Sequence, residues 1–242
     1  MMNAGWAIAG VVAGLLTGVA LGGVVVRLSV PAGEPHRTAC PRCAGRLPRL
    51  TTGRCTNCRA RLLGPLPWLE LASAATVGAL AWRFAGTPEV AAFCVLGALG
   101  VALAAIDLQV QRLPDLLTLP AYPVLLALLA AGAIVTQQAW PLGRAVISCL
   151  TLGGTYLLLA VIRPGGVGGG DIKLAGLVGL ALGWLGWRAV LAGAVLGVVL
   201  AALAGLALLA ARRATLRSRI SFGPFLIGAA LLVMLAAGPG AS

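Results

Sequence analysis

Two aspartates lie where apolar runs meet polar connections, and both are candidates for acid–base chemistry. Asp107 ends one apolar run, and Asp171 follows Gly168, Gly169 and Gly170 at the start of another. The chain has only six acidic residues, and a carboxylate at a membrane boundary is costly unless it faces water or a partner. Two carboxyl groups held together share a proton, so one can take a proton from water while the other polarises a peptide carbonyl. This pattern indicates aspartic-protease chemistry, which needs neither a metal nor a cofactor.

Two other functions remain open for the same residues. A proton-coupled transporter could use Asp107 and Asp171 as proton carriers, and a non-enzymatic membrane assembly scaffold would not need them. Transporters usually place such acids near the bilayer midplane and often show repeated halves. Here the acids lie at the ends of apolar runs and no internal repeat is evident, which favours the protease.

Several residues near the two aspartates are candidates for shaping a site. Glycines at 168–170 would let the backbone of an extended substrate approach Asp171. Asp115 directly precedes an apolar run and is equally well explained as a helix N-cap. Glu70 lies near the start of another run, where negative charge suits the helix dipole, and Lys173 fits the excess of basic residues expected on the cytosolic side.

Four cysteines form two C-x-x-C pairs in the one long polar segment, at Cys40/Cys43 and Cys55/Cys58. Four thiolates at this spacing complete a tetrahedral zinc shell, and a closed shell of four cysteines is structural rather than catalytic. The alternative is a pair of disulfides or a redox pair, which a cytosolic location disfavours. We therefore predict a structural zinc site.

The composition predicts an all-α integral membrane protein. Of the 242 residues, 60% are hydrophobic and 10% charged, which excludes an ordinary soluble domain. Eight apolar runs predict eight transmembrane helices, at about 4–26, 68–86, 90–106, 116–135, 145–162, 172–187, 189–211 and 222–237. The expected domains are a first transmembrane helix (1–26), a cytosolic four-Cys metal-binding loop (27–67) and a seven-helix membrane core (68–242).

The basic residues predict the orientation. If the long polar segment is cytosolic, so are fifteen of the eighteen basic residues, and only Arg83, Arg144 and Arg188 lie outside. Both termini are then extracytoplasmic, and Asp107, Asp171 and Asp115 lie at the cytosolic face of a bacterial inner membrane. The net charge of +12 predicts anionic membrane lipid rather than nucleic acid as a partner.

Together, these motifs resemble the type IV prepilin peptidases, membrane aspartic proteases with a G-x-G-D signature. The matching stretches follow the family's order: Gly18–Leu28, the C-x-x-C pairs, Pro67–Leu71, Ile106-Asp107, Leu113-Pro114-Asp115, Gly168–Leu174 and Phe222-Gly223-Pro224-Phe225. The resemblance implies that Asp107 and Asp171 are the catalytic pair and that the four cysteines are the family's cytosolic metal ligands.

The resemblance also implies a reaction and partners. Family members remove the short basic leader of prepilins and pseudopilins, after a glycine, on the cytosolic face, and they work with pilus or secretion assembly components. Many also methylate the new N-terminus with S-adenosylmethionine. The sequence shows no glycine-rich S-adenosylmethionine fingerprint, and Val19-Ala20-Leu21-Gly22 replaces the family's usual Ser-Phe-Leu-Asn. The resemblance therefore supports peptidase activity more strongly than it supports methylation.

Overall fold

The structure is a computed structural model of the chain. It describes residues 2–31, 33–47, 53–60, 62–63, 67–164, 166–213 and 221–238. Four of the arginines that the orientation depends on, Arg49, Arg61, Arg217 and Arg219, lie outside the described residues.

The described residues form eight α-helices. Their bounds are α1 Met2–Leu28, α2 Trp68–Arg83, α3 Val90–Val110, α4 Asp115–Thr136, α5 Trp140–Ile162, α6 Gly169–Leu185, α7 Trp187–Ala210 and α8 Gly223–Ala237. Each predicted apolar run corresponds to one helix, so the all-α prediction is confirmed. The apolar pattern misses the start of α5, because Arg144 is charged yet buried within the helix.

Five helices are long and apolar enough to cross a membrane: α1, α3, α4, α5 and α7. The other three are shorter, and α8 has 15 residues. At 1.5 Å per residue, a helix of this length spans about 22 Å, less than the roughly 30 Å hydrocarbon core. The chain is therefore a multi-pass membrane protein in which three short helices are supported by longer neighbours.

Helices α3 and α6 occupy the centre of the bundle. Every α6 residue from Leu174 to Leu185 is buried, and α6 packs against α4, α5, α7 and α8. Helix α3 packs against α1, α2, α4 and α8. A side chain at the end of either helix is consequently held by several neighbours, which suits a site that needs fixed geometry.

Small residues let α1 and α2 approach closely. A Cβ atom on Gly14 would lie 2.5 Å from the carbonyl oxygen of Ser73, and one on Gly18 would lie 2.7 Å from Cα of Glu70. With Gly10, these glycines recur every fourth residue on one face of α1, the spacing typical of tightly packed membrane helices. This contact fixes the first helix against the rest of the bundle.

Two arginines that the sequence predicts to lie outside the cytosol form hydrogen bonds with the ends of helices. Arg144 is buried, and its Nε and Nη2 donate to the carbonyls of Gly183 and Trp184, both at 2.7 Å. Arg83 donates from Nε to the carbonyl of Leu235 at 2.9 Å. Each pairs a positive charge with the last, otherwise unbonded carbonyls of a helix. These bonds fix α6 and α8 at the end opposite the aspartates.

Candidate active site

Asp107 and Asp171 lie together at one end of the bundle. This end also carries the cysteine segment, and we refer to it as the loop end. Asp107 is buried in the last turn of α3, which continues to Val110. Asp171 is half-buried in the first turn of α6. Gly223, whose N–H donates to Asp107, also lies beside Leu174 on α6, three residues after Asp171. The structure thus brings together two acids that are 64 positions apart (171 − 107).

The start of α8 holds one oxygen of Asp107. The hydroxyl of Ser221 and the backbone N–H of Gly223 both donate to Oδ2, the latter at 3.1 Å. Gly223 is the first residue of α8, and the first amides of a helix have no partner within it and carry its positive dipole end. The burial of Asp107 is therefore compensated by two donors and a favourable dipole.

Gly223 has no space for a side chain. A Cβ atom there would lie 2.6 Å from Oδ2 of Asp107 and 3.6 Å from the side chain of Leu174 on α6. Only glycine lets the backbone of α8 come close enough to donate to this carboxylate. The start of α8 thus touches both the helix that carries Asp107 and the helix that carries Asp171.

The three glycines before Asp171 differ in their surroundings. Gly168 precedes α6 in an extended conformation, and a Cβ atom there would lie 3.1 Å from Oδ2 of Asp171. Gly169 faces open space, whereas a Cβ atom on Gly170 would lie 2.8 Å from Cβ of Leu113. None of the three has a positive φ. An ordinary residue could therefore adopt the same backbone conformations, and what Gly170 provides is room for close packing.

Asp115 and Lys173 join the starts of α4 and α6. Lys173 Nζ lies 2.5 Å from Asp115 Oδ1, and both side chains are partly exposed. The N-cap of α4 is Pro114, and Asp115 is the first residue inside the helix. The interpretation of Asp115 as the N-cap is thus wrong, and its carboxylate pairs with Lys173 on α6. The hydroxyl of Tyr122 donates to the carbonyl of Lys173 at 2.6 Å, a second link between the two helices.

Glu70 makes none of the contacts described around the aspartate pair. It is half-buried in the first turn of α2, where its backbone packs against Gly18. A direct role at the pair is consequently without structural support, although its position near the start of a helix agrees with the favourable dipole expected from the sequence.

Two aromatic rings lie beside the aspartates. The ring centroids of Tyr156 on α5 and Phe222 are 5.7 Å apart. Tyr156 lies within electrostatic range of the Asp171 carboxyl group, and Phe222 lies in the sequence between the two residues that donate to Asp107. This contact places one face of the site against α5.

The four cysteines form a compact cluster that could hold a metal ion. Their Sγ atoms all lie within 4.8 Å of one another, with Cys40 and Cys58 3.8 Å apart and Cys43 and Cys55 3.6 Å apart. Thiolates about 2.3 Å from a tetrahedral zinc ion would be about 3.8 Å apart. The donor set and its spacing therefore fit a tetrahedral metal.

The two C-x-x-C pairs have matching backbones. Each is followed by a residue in the left-handed conformation, Ala44 with φ 55° and Arg59 with φ 53°. The N–H of Cys40 donates to the carbonyl of Gly45, and that of Cys55 to Ala60. Backbone hydrogen bonds from Cys58 and Asn57 lower the pKa of Cys55, whereas, despite a backbone hydrogen bond from Gly45, burial and the neighbouring thiols raise the pKa of Cys43. The support for a metal therefore comes from the geometry of the four sulfurs.

The cysteine segment is tied to the helices at both α1 and α3. Arg27 Nη2 donates to the carbonyl of Leu47 at 2.6 Å. Arg112, just past α3, donates from Nη1 to the carbonyls of Val30 and Pro31 at 3.2 and 2.8 Å. Leu113, the next residue, packs against Gly170, so the segment is linked through one turn to the start of α6.

Known proteins are similar in sequence to this chain. The type IV leader peptidase family matches residues 94–211. A prepilin leader peptidase/N-methyltransferase of Pseudomonas aeruginosa is 30% identical over 209 residues, 82% of this chain and 71% of that protein. The chain belongs to the type IV leader peptidase family. A protein of the same name from Aeromonas salmonicida is 32% identical over 216 residues, with 82% and 71% covered, and no solved structure gave a significant match.

A third leader peptidase shows what share of a relative's length the chain matches. The prepilin leader peptidase/N-methyltransferase of Burkholderia pseudomallei strain 1026b is 36% identical over 210 residues, 81% of this chain. The match takes in 66% of that protein, so the chain spans just under two thirds of its length. Membership of this family does not favour the transporter or the scaffold.

Sequence reasoning missed the residues that hold Asp107. Phe222-Gly223-Pro224-Phe225 was noted only as a stretch that resembles the leader peptidases, and Ser221 was not singled out. A Gly-Pro pair opening an apolar run predicts a helix start, and its unbonded amides are a natural partner for a carboxylate. That signal could have identified Gly223 but not its partner.

Proposed function

We propose that this chain is a membrane aspartic endopeptidase that removes the leader peptide of type IV prepilins and pseudopilins. The observation that carries the proposal is the pairing of Asp107 with Asp171 at the loop end of α3 and α6. The names of the relatives support it, because prepilin leader peptidase describes that reaction.

In the proposed mechanism Asp107 is the base and Asp171 the acid. Hydrogen bonds donated to a carboxylate stabilise its ionised form, and Asp107 accepts two on Oδ2. The described residues place no donor on its Oδ1, which is left for a water molecule. Asp171 accepts one hydrogen bond from the backbone of Gly168 and none from a side chain among them, so we assign the shared proton to Asp171, which has fewer donors.

The reaction then balances between the two carboxyl groups. Asp107 removes a proton from water, and the resulting hydroxide bonds to the carbonyl carbon while Asp171 gives its proton to the carbonyl oxygen. The carbon–nitrogen bond then breaks as Asp107 passes its proton to the leaving amine, and the new carboxyl group returns a proton to Asp171. Each aspartate ends as it began, as the proton-sharing pair requires.

The substrate is proposed to approach laterally as the apolar helix of a membrane-inserted prepilin. Gly168, Gly169 and Gly170 would let its extended backbone reach Asp171, and Asp115 and Lys173 would fix the start of α6 beside it. Glu70 is proposed to meet the basic leader rather than the scissile bond. Unchanged cleavage kinetics in Glu70→Gln would remove that role.

The proposed location is the bacterial inner membrane, with the loop end in the cytosol and both termini outside. The proposed domains are 1–26 as a first membrane helix, 27–67 as the metal-binding loop and 68–242 as the peptidase core. Anionic lipid is the proposed partner of the basic loop, and pilus or secretion assembly components are the proposed protein partners.

Zinc is the metal proposed for the four cysteines. Bound there, it would be held by Cys40, Cys43, Cys55 and Cys58 and would fold a segment that has little apolar core of its own. All four positions of a tetrahedral ion are then filled by protein, so the site is structural. The peptidase chemistry is assigned to the aspartates alone.

Methyl transfer is a separate matter. The names of the relatives include N-methyltransferase, and S-adenosylmethionine would supply the methyl group. We assign none of the described residues to S-adenosylmethionine, and we derive no methyl transfer step.

The proposal is tested by co-expressing a type IV prepilin with wild type, Asp107→Asn and Asp171→Asn and measuring cleavage in membranes. We expect processing by wild type and none by either variant at equal protein levels. Cleavage by either variant would make that aspartate structural and Asp115 the next candidate. Failure of wild type to cleave several prepilins would favour the scaffold.

A further inference from the structure

Tyr156 carries a buried hydroxyl that has no partner among the described residues. Its side chain is 7% exposed, and its oxygen accepts and donates no hydrogen bond there. A buried polar group left unbonded destabilises the fold, because it has lost its hydrogen bonds to water without replacing them. Such a group is worth explaining, since most buried polar atoms in native proteins are bonded.

Local backbone bonding cannot relieve the tyrosine. Three other buried hydroxyls have no partner among the described residues, those of Ser29, Ser73 and Ser148. All three are on serines, whose short side chain can turn towards a backbone carbonyl of the preceding turn. The tyrosine hydroxyl stands at the far end of a rigid ring and cannot reach its own helix backbone. Its partner must therefore come from elsewhere.

The position of the ring points to the catalytic pair. Tyr156 interacts electrostatically with Asp171 and packs against Phe222, with ring centroids 5.7 Å apart. Phe222 lies between Ser221 and Gly223, the two donors to Asp107. The ring is thus in contact with the segment that holds one aspartate and beside the other.

We propose that the Tyr156 hydroxyl donates a hydrogen bond to the carbonyl oxygen of the scissile peptide. This inference rests on the proposed peptidase function. The carbonyl oxygen gains negative charge as hydroxide bonds to the carbon, and Asp171 supplies its proton to the same oxygen. The tyrosine keeps its own proton throughout and stabilises the developing charge, as an oxyanion-hole donor does.

The geometry predicts that Tyr156→Phe, which removes only the hydroxyl oxygen, lowers kcat without lowering stability. Because the hydroxyl has no partner among the described residues, its loss is expected to leave the melting temperature unchanged or to raise it. One oxyanion donor is worth about 100-fold or more in kcat, so kcat falls by about 100-fold. KM stays within about twofold, because the bond forms mainly as charge develops.

Tyr122, the other tyrosine, provides the contrast. Its hydroxyl donates to the carbonyl of Lys173 at 2.6 Å, so Tyr122→Phe breaks an existing bond and lowers the melting temperature. The experiment measures kcat, KM and melting temperature of both variants and wild type with a tagged prepilin in detergent. A lower kcat in Tyr156→Phe with undiminished stability supports the inference.

Two results would overturn the inference while leaving the peptidase proposal intact. One is Tyr156→Phe with kcat within about twofold of wild type. The other is a melting temperature that falls as it does in Tyr122→Phe, which would show that the hydroxyl has a structural partner. Absence of cleavage by wild type would instead overturn the peptidase proposal and this inference with it.

Discussion

The backbone N–H of Gly223 lies 3.1 Å from Oδ2 of Asp107, joining the first residue of α8 to the last turn of α3. The contact links residues 116 positions apart. It makes the start of α8 part of the aspartate site rather than a neighbour of it.

Gly223→Ala is expected to lower prepilin cleavage by at least about tenfold. The added Cβ would lie 2.6 Å from Oδ2 of Asp107, so either α8 or the carboxylate must move, at about 1–3 kcal/mol for overpacking. Gly228→Ala in the same helix is the matched control, since a Cβ there meets nothing within 4 Å. Equal activity of the two variants would show that α8 does not position Asp107.

Gly170→Ala and Gly169→Ala are expected to separate packing from substrate approach. A Cβ on Gly170 would lie 2.8 Å from Leu113, so this variant loses about 1–3 kcal/mol of stability. Gly169 faces open space, so Gly169→Ala melts like wild type but raises KM for prepilin if the substrate backbone passes there. Thermal melting and cleavage kinetics measure the two effects, and an unchanged KM in Gly169→Ala removes that residue from the substrate path.

Reversing the charges of Asp115 and Lys173 tests how the start of α6 is held. Each single variant, Asp115→Lys or Lys173→Asp, is expected to cut cleavage severalfold, because two like charges then replace an ion pair whose Nζ and Oδ1 lie 2.5 Å apart. The double variant should recover most of the activity. Stability should change by less than about 1 kcal/mol, as the pair is partly exposed. A double variant no better than the singles would argue against the pair.

Metal analysis of purified protein is expected to find one zinc ion per chain. Cys55→Ser removes a ligand whose Sγ lies 3.6 Å from that of Cys43, and the variant should lose the metal. Cys94→Ser is the control, because Cys94 lies in α3 outside the cluster. Zinc retained equally by both variants would contradict the assignment.

The helices and the two aspartates were predictable from the sequence because both depend on local composition. Apolar runs long enough for a membrane predict helices directly, and scarce acids at their ends are conspicuous. The paired cysteines were predictable for the same reason, since the four ligands come from one short segment. The apolar pattern was misleading at Arg144, because this charged residue made the predicted run begin after the first turn of α5.

The partners of the aspartates were not predictable, because they come from distant segments. Nothing near Asp107 in the sequence indicates Ser221, and nothing near Asp115 indicates Lys173. The role of Gly170 also depends on Leu113, which lies in another turn. A single sequence shows which residues are chemically able to act, whereas packing decides which of them meet.

The contact between α8 and Asp107 also has a consequence for biogenesis. The chain is made from its N-terminus, so α3 and α6 enter the membrane before α8 has been synthesised. Until Ser221 and Gly223 have been added, the carboxylate of Asp107 lacks both of its described donors. The geometry of Asp107 described above can therefore form only after the start of α8 has been synthesised and packed against α3.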